Sequence, residues 1–174
     1  MTFAELIKAF EAHCGVSNEL DAAQLALWFN EAQNDLAADL GEIKKQTLTV
    51  TAGEEYALPD DCLRLVEVAG APYDCTPDQK LVFGANGAAT LYYCALPAGF
   101  SGSAGTQESE LHPTLHYLLP IFAAARYWDA ESEGDYEESN LGSKWMSYYL
   151  QGKAAARIRL DRSFLTPACW QVAK

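Results

Sequence analysis

Basic residues are scarce in this chain, and their scarcity limits what the protein can bind. Its 174 residues contain 12 Lys and Arg against 24 Asp and Glu, which gives a formal net charge of −12. A general nucleic-acid binder needs a basic surface that attracts phosphates. The composition therefore argues against such a binder, but it allows an acidic wall past which DNA moves without adhering, because like charges repel.

Regularly spaced cysteines and long apolar runs are lacking as well. The five cysteines are scattered and form no Cys-x-x-Cys pair, which favours free thiols in a reducing compartment over a disulfide framework or zinc site. No apolar run approaches the roughly 20 residues of a membrane-spanning helix. The first residues are amphipathic and include Glu5 and Glu11, unlike a secretory signal peptide. We therefore expect a protein that is soluble and intracellular when made.

The sequence also lacks a catalytic, cofactor or metal constellation. His112 and His116 have the spacing of zinc ligands one helical turn apart, but Pro113 marks a helix start there. Residues 129–134 resemble a calcium loop only superficially, since an EF-hand needs Asp or Asn at its third and fifth positions. The loop GFSGSAG at 99–105 fits neither a nucleophile elbow nor a P-loop. We predict no catalytic residue, no cofactor and no metal.

Helical periodicity is present near the start of the chain. Apolar residues recur at helical spacing over Thr2–His13, and Gly15 is a natural helix end. A longer helix is predicted over Glu19–Leu40, with Ser17 or Asn18 as its N-cap. Both helices need tertiary packing to be stable.

A β-prone stretch follows, with period-two alternation and turn residues between the segments. A hairpin is predicted around Asn86-Gly87, the strongest two-residue turn signal of the chain. Residues 44–94 are therefore expected to form a small antiparallel β layer, with strands at 45–50, 55–58, 63–68, 79–83 and 88–94.

The remainder is predicted to be a loop and a helical hairpin. Residues 95–110 are rich in Gly and Ser, which predicts a flexible loop. Helical spacing over Leu118–Trp145 is interrupted at Gly134-Asp135, and the second helix should run to about Leu160. The predicted fold is α+β: a mainly helical body, formed by the N-terminal helix pair and the C-terminal helical hairpin, with the inserted β layer. We expect one domain over residues 1–160 and an extended C-terminal arm over 161–174.

The sign of the charge changes near the C-terminus. Residues 1–138 hold 23 Asp and Glu against 6 Lys and Arg, whereas residues 139–174 hold 6 Lys and Arg against Asp161 alone. Arginines pair bidentately with acidic groups, and Trp is a frequent interface hot spot. A solvated helix end that favours the C-terminal dipole would also explain the arginines. The predicted partner-contact residues are Arg157, Arg159, Arg162, Phe164, Leu165 and Trp170.

Several short motifs in a fixed order resemble the head-to-tail adaptor (connector) proteins of tailed bacteriophages. The resemblance spans most of residues 20–150, and its specificity lies in the order and spacing of the motifs. They are Trp28-Phe29-Asn30-Glu31-Ala32-Gln33, Leu58-Pro59-Asp60-Asp61, Tyr92-Tyr93 with Pro97, Ala123-Ala124-Ala125-Arg126-Tyr127-Trp128 and Glu133-Gly134-Asp135-Tyr136.

The resemblance implies a non-enzymatic virion protein located in the neck. Such adaptors form a homo-oligomeric ring, usually of twelve subunits, beneath the portal protein, extend the DNA channel, and dock the tail or the next neck protein. They bind neither DNA specifically nor a membrane. This chain departs from the family in its larger β layer and its Gly/Ser loop. The alternatives are another tail-completion or terminator protein, and a small cytosolic enzyme or acidic binding module with no visible motif.

Overall fold

The chain folds as an α+β protein, as predicted, and the computed structural model describes residues 1–17, 20–103, 105–132 and 136–164, with the side chains of 136–139 and 161–164 excepted. Its helices are α1 (Phe3–Cys14), α2 (Ala22–Leu40), α3 (Leu118–Glu131) and α4 (Tyr136–Phe164), and a 3-10 turn spans Pro113–Leu115. Its strands are β1 (Ile43–Val50), β2 (Glu55–Tyr56), β3 (Cys62–Ala69), β4 (Tyr73–Cys75), β5 (Leu81–Phe83) and β6 (Gly87–Ala95).

The chain divides into two compact units. The helical unit comprises Met1–Leu36 and the segment from Ala98 onward, and the β unit comprises Ala37–Pro97. The predicted β layer at 44–94 lies within the β unit. The expectation of one domain over residues 1–160 stays a prediction.

Helix α1 ends at Gly15, as predicted, and begins with a capping box that was not predicted. The Thr2 hydroxyl accepts the N–H of Glu5 at 3.2 Å, and the Glu5 carboxylate accepts the N–H of Thr2 at 2.9 Å, a capping box. Gly15 ends the helix with φ +72°, a conformation that is free of strain only without a Cβ atom. The buried face of α1 carries Phe3 and Phe10 into the core of the helical unit.

Helix α2 begins later than predicted. It starts at Ala22 rather than Glu19, and Asp21 caps it, because the Asp21 carboxylate accepts the N–H of Ala23 at 3.3 Å. The predicted N-cap at Ser17 is therefore wrong, and the alternative, Asn18, lies outside the described residues. Asp is as good an N-cap as Ser or Asn, so local preference alone did not choose among them.

The C-terminal helical hairpin is formed by α3 and α4, which pack against each other. Pro120 lies in the first turn of α3, where a missing N–H costs no hydrogen bond. Helix α4 continues to Phe164, past the predicted end near Leu160, so residues 161–164 are helical rather than extended. Gly134, Asp135 and the rest of the predicted arm, 165–174, lie outside the described residues. In the part of the chain that the structure describes, no helix is long and apolar enough to cross a membrane.

The β unit contains two three-stranded antiparallel sheets, in the orders β1-β6-β3 and β2-β5-β4. The prediction of a small antiparallel β layer is confirmed, although β4 was not predicted. One apolar core unites the sheets, with Val50 and Leu91 from the first sheet and Leu81 and Phe83 from the second.

The predicted hairpin around Asn86-Gly87 is wrong. Strands β5 and β6 flank that turn but belong to different sheets, and β5 pairs instead with β4 and β2. The Asn86 side chain accepts the N–H of Ala52 at 2.7 Å, so it ties two turns together. A turn signal is local, whereas the strand partner is chosen by the burial of Phe83 and its neighbours in the shared core.

Candidate interaction site

The two histidines at zinc-ligand spacing have other partners. The His112 ring lies 2.9 Å from the Thr114 hydroxyl at the start of the 3-10 turn. The buried His116 ring contacts the Leu111 carbonyl through Nε2 at 2.7 Å and the Met1 amino group through Nδ1 at 2.7 Å. No group of three or more His, Cys, Asp or Glu within the described ranges is placed to hold a metal ion. These histidines are therefore built into the fold of the helical unit.

The stability of the fold is expected to fall as the pH drops from about 7 to about 5. Burial lowers the pKa values of both His116 and His13 below the ordinary histidine value of 6.5. Below about pH 6.5 the unfolded chain therefore binds protons that the folded chain does not, and the free energy of unfolding decreases. Thermal unfolding at the two pH values measures this loss.

His116→Gln should show a smaller decrease in Tm between these pH values, since Gln does not titrate and its amide can still donate to the Leu111 carbonyl. The matched control is His112→Gln at the exposed neighbour. An undiminished pH dependence in His116→Gln would assign the loss to other groups.

The sequence motifs of α2 and α3 pack together in the aromatic core of the helical unit. Phe29 meets Phe3 edge-on, with ring centroids 5.9 Å apart. The Phe10 ring of α1 packs against the rings of Trp28 in the α2 motif and Tyr127 in the α3 motif, with ring centroids 6.5 and 5.8 Å apart, respectively. Phe3, Phe10, Phe29 and Tyr127 are buried, so these rings form the core of the helical unit.

A charged pair also links the two motifs. The guanidinium of Arg126 on α3 binds the carboxylate of Glu31 on α2, with Nε 3.2 Å from Oε2, and it lies over the Phe122 ring. Both side chains are partly exposed, so the pair fixes the geometry of the helices more than it adds to their stability.

The Gly/Ser loop, predicted to be flexible, is held to α2 at Phe100. The Asn30 amide donates to the Phe100 carbonyl at 3.0 Å, and its oxygen accepts the Phe100 N–H at 2.7 Å. The Phe100 ring is 5% exposed and stacks on Phe3 with centroids 5.0 Å apart. Nearby, the Ser109 hydroxyl donates to the buried Gln33 amide at 2.6 Å. The Asn30 and Gln33 positions of the α2 motif thus fasten the loop, a role that sequence reasoning missed.

Helix α4 is anchored on α2 through Asp35. The carboxylate of Asp35 accepts the hydroxyl of the buried Tyr149 and the ammonium of Lys153, whose Nζ lies 2.8 Å away. Lys153 also donates to the Asp35 carbonyl at 3.1 Å. Lys153, one of the cations of the basic C-terminal region, is therefore engaged within the chain.

The structure describes only part of the predicted partner-contact set. Arg157 and Arg159 are exposed on α4, but on a helix two positions differ by about 200°, so their side chains leave the helix in nearly opposite directions. Arg162 and Phe164 belong to the last turns of α4, and their side chains are not described. Leu165 and Trp170 lie outside the described residues.

A groove of about 450 Å³ runs between α3 and α4. It is lined on the α4 side by Met146 and Leu150 and on the α3 side by Arg126 and Asp129. Gly142 allows the helices to approach, since a Cβ atom there would lie 3.1 Å from the Asp129 backbone nitrogen. The groove is open and mixed in polarity, which suits a contact surface more than a small-molecule site.

Comparison with known proteins relates the first part of the chain to a phage protein family. Residues 1–82 match the model of the family described as SU10 adaptor protein. The matched region contains α1, α2 and β1 to β4, including the α2 motif that packs the aromatic core and fastens the loop. The match confirms the resemblance to phage adaptor proteins that the sequence motifs predicted. A search of curated proteins found no match.

Proposed function

We propose that this chain is the head-to-tail adaptor of a tailed phage virion. The proposal starts from the adaptor match at residues 1–82. Twelve copies form a ring below the portal protein, extend the DNA channel, and connect the head to the tail or to the next neck protein. The role is structural rather than enzymatic, and the protein resides in the neck of the virion. The observation that carries the proposal is the adaptor match, to which the α2 motif contributes the residues that build the helical core.

The charge of the body supports its role as a channel wall. Residues 1–138 hold 23 Asp and Glu against 6 Lys and Arg. An acidic wall repels the phosphates of the passing DNA, so the polymer moves without adhering. DNA is therefore cargo of the channel and is not bound specifically.

The C-terminal end of α4 and the residues after it are the proposed portal contact. Arg157 and Arg159 are exposed there, in a region where the only acidic residue is Asp161. The guanidinium group of arginine forms bidentate hydrogen bonds with acidic groups of a partner. Apolar side chains beside it add to the contact by becoming buried in the interface. The proposed contact residues are Arg157, Arg159, Arg162, Phe164, Leu165 and Trp170.

Deletion of residues 160–174 is expected to abolish docking onto the portal while the remaining body stays folded. The deletion removes the apolar anchors and Arg162 but leaves the helical core and Asp35–Lys153 untouched. Co-sedimentation with purified portal rings measures docking, and circular dichroism checks the fold.

Arg157→Glu combined with Arg159→Glu should weaken docking at least tenfold. Lys8→Glu combined with Lys45→Glu makes the same change in net charge at exposed positions elsewhere, and it should leave docking unchanged. Docking that survives the deletion refutes the portal contact, and a chain that binds portal only as single copies refutes the ring.

A further inference from the structure

Helix α4 carries an exposed apolar ridge that begins at the groove between α3 and α4. Leu150 and Ile158 are each 56% exposed, and Ala154 between them is exposed as well. The three positions are spaced four apart, so their side chains form one ridge along the helix. Arg157 lies beside this ridge, and the structure records no ion pair for it among the described residues. We call Leu150, Ala154 and Ile158 the α4 outward face.

Helix α2 carries a complementary face. Leu27 is 60% exposed, the highest value among the large apolar side chains of the described residues. Ala23 and Glu31 stand four residues before and after it and are exposed, so they form a second ridge of the same spacing. We call Ala23, Leu27 and Glu31 the α2 outward face.

The two helices have opposite charges. Residues 140–160 contain four Lys and Arg and no Asp or Glu, whereas α2 contains three acidic residues and no Lys or Arg. An ion pair already joins the two helices within one molecule, where Asp35 of α2 binds Lys153 of α4. The apolar residues of the two outward faces take no part in that ion pair, and of the charged residues Glu31 binds Arg126 of the same chain.

We propose that the α4 outward face of one copy packs on the α2 outward face of a second copy. The alanine at position 154 leaves room for the opposing Leu27, and ridges at four-residue spacing interdigitate in the commonest class of helix packing. The two faces differ, so each copy offers one of each. Such a heterologous contact repeats from copy to copy and closes into a ring when the rotation permits. The inference rests on the proposed ring and names its subunit contact.

Sedimentation equilibrium of the purified full chain, without portal, tests the contact. Self-association should be measurable at high protein concentration and low salt, and Ile158→Glu or Leu27→Glu should each weaken it at least tenfold. Leu96→Glu puts the same charge at an exposed apolar position of the β unit and should leave association unchanged. Because the assay contains no portal, its outcome is independent of whether portal docking occurs.

A mixture of the two variants distinguishes a heterologous contact from any other. The Leu27→Glu chain keeps its α4 outward face and the Ile158→Glu chain keeps its α2 outward face, so a 1:1 mixture should form dimers and nothing larger. A mixture that stays monomeric, or a wild-type chain that is monomeric at every concentration, overturns the proposal. The proposal is also overturned if the full chain does not associate but a chain without residues 165–174 does. The C-terminal residues of the same chain would then be the occupant of one of the outward faces.

Discussion

Replacing Phe100 with alanine is expected to lower the free energy of unfolding by about 3–5 kcal/mol. The ring is 5% exposed and lies between Phe3, on which it stacks, and Phe29, which it meets edge-on with centroids 6.2 Å apart. Its removal leaves a cavity in the aromatic core, because the surrounding helices and loop relax only partly and do not fill the space. Urea denaturation followed by tryptophan fluorescence measures the loss.

The neighbouring Ser101→Ala is the matched control, since its side chain is exposed and its replacement should change the stability by less than about 0.5 kcal/mol. Asn30→Ala should be destabilising because it leaves the Phe100 N–H and carbonyl without their partner on α2. Asn30→Asp keeps the acceptor but not the donor, and its loss should be smaller. A Phe100→Ala chain as stable as Ser101→Ala would mean that the loop is not held in the core.

Signals that act within a few residues could be predicted from the sequence. Gly15 is predicted to end α1 from its local sequence alone, and the structure has it there. The Thr2–Glu5 capping box is equally local, although it was not predicted. The order and spacing of five short motifs were likewise enough to identify the adaptor resemblance, which the match at residues 1–82 confirms. In the structure the α2 and α3 motifs also meet, through Phe10 and the Glu31–Arg126 pair.

Features that depend on distant partners could not be predicted. The chain bends at residues 84–86, but β5 does not pair with β6, because Phe83 is buried in the core and β5 pairs with β2 and β4. The composition of residues 95–110 predicts flexibility, and only the distant Asn30 supplies the bonds that hold Phe100. The one local hint was Gln33, an amide at helical spacing from the apolar Phe29 and Leu36. A buried amide needs partners, but the sequence does not say which.

Asp35→Ala is expected to lower the free energy of unfolding by about 2 kcal/mol. The substitution removes the acceptor of the Tyr149 hydroxyl, which is buried, and of the Lys153 ammonium, whose side chain is only 16% exposed. The Asp35 side chain itself is 45% exposed, so water screens its Coulomb attraction, and the hydrogen bonds account for most of the effect. Asp35→Asn retains an acceptor and should lose less, and a loss equal to that of alanine would assign the effect to charge.

The same substitution should also weaken the proposed subunit contact, although Asp35 is not part of it. Asp35 fixes α4 at Tyr149 and Lys153, immediately beside Leu150 and one turn before Ile158 of the α4 outward face. A helix that is already held in place binds a partner more tightly than a mobile one, because immobilising the mobile helix on binding costs free energy. Asp35→Ala should therefore reduce self-association in sedimentation equilibrium even where circular dichroism shows a fully folded chain. Glu55→Gln removes the same charge and weakens the Lys80–Glu55 pair of the β unit, so it should leave self-association unchanged. An equal reduction would indicate that net charge, and not the position of α4, controls the contact.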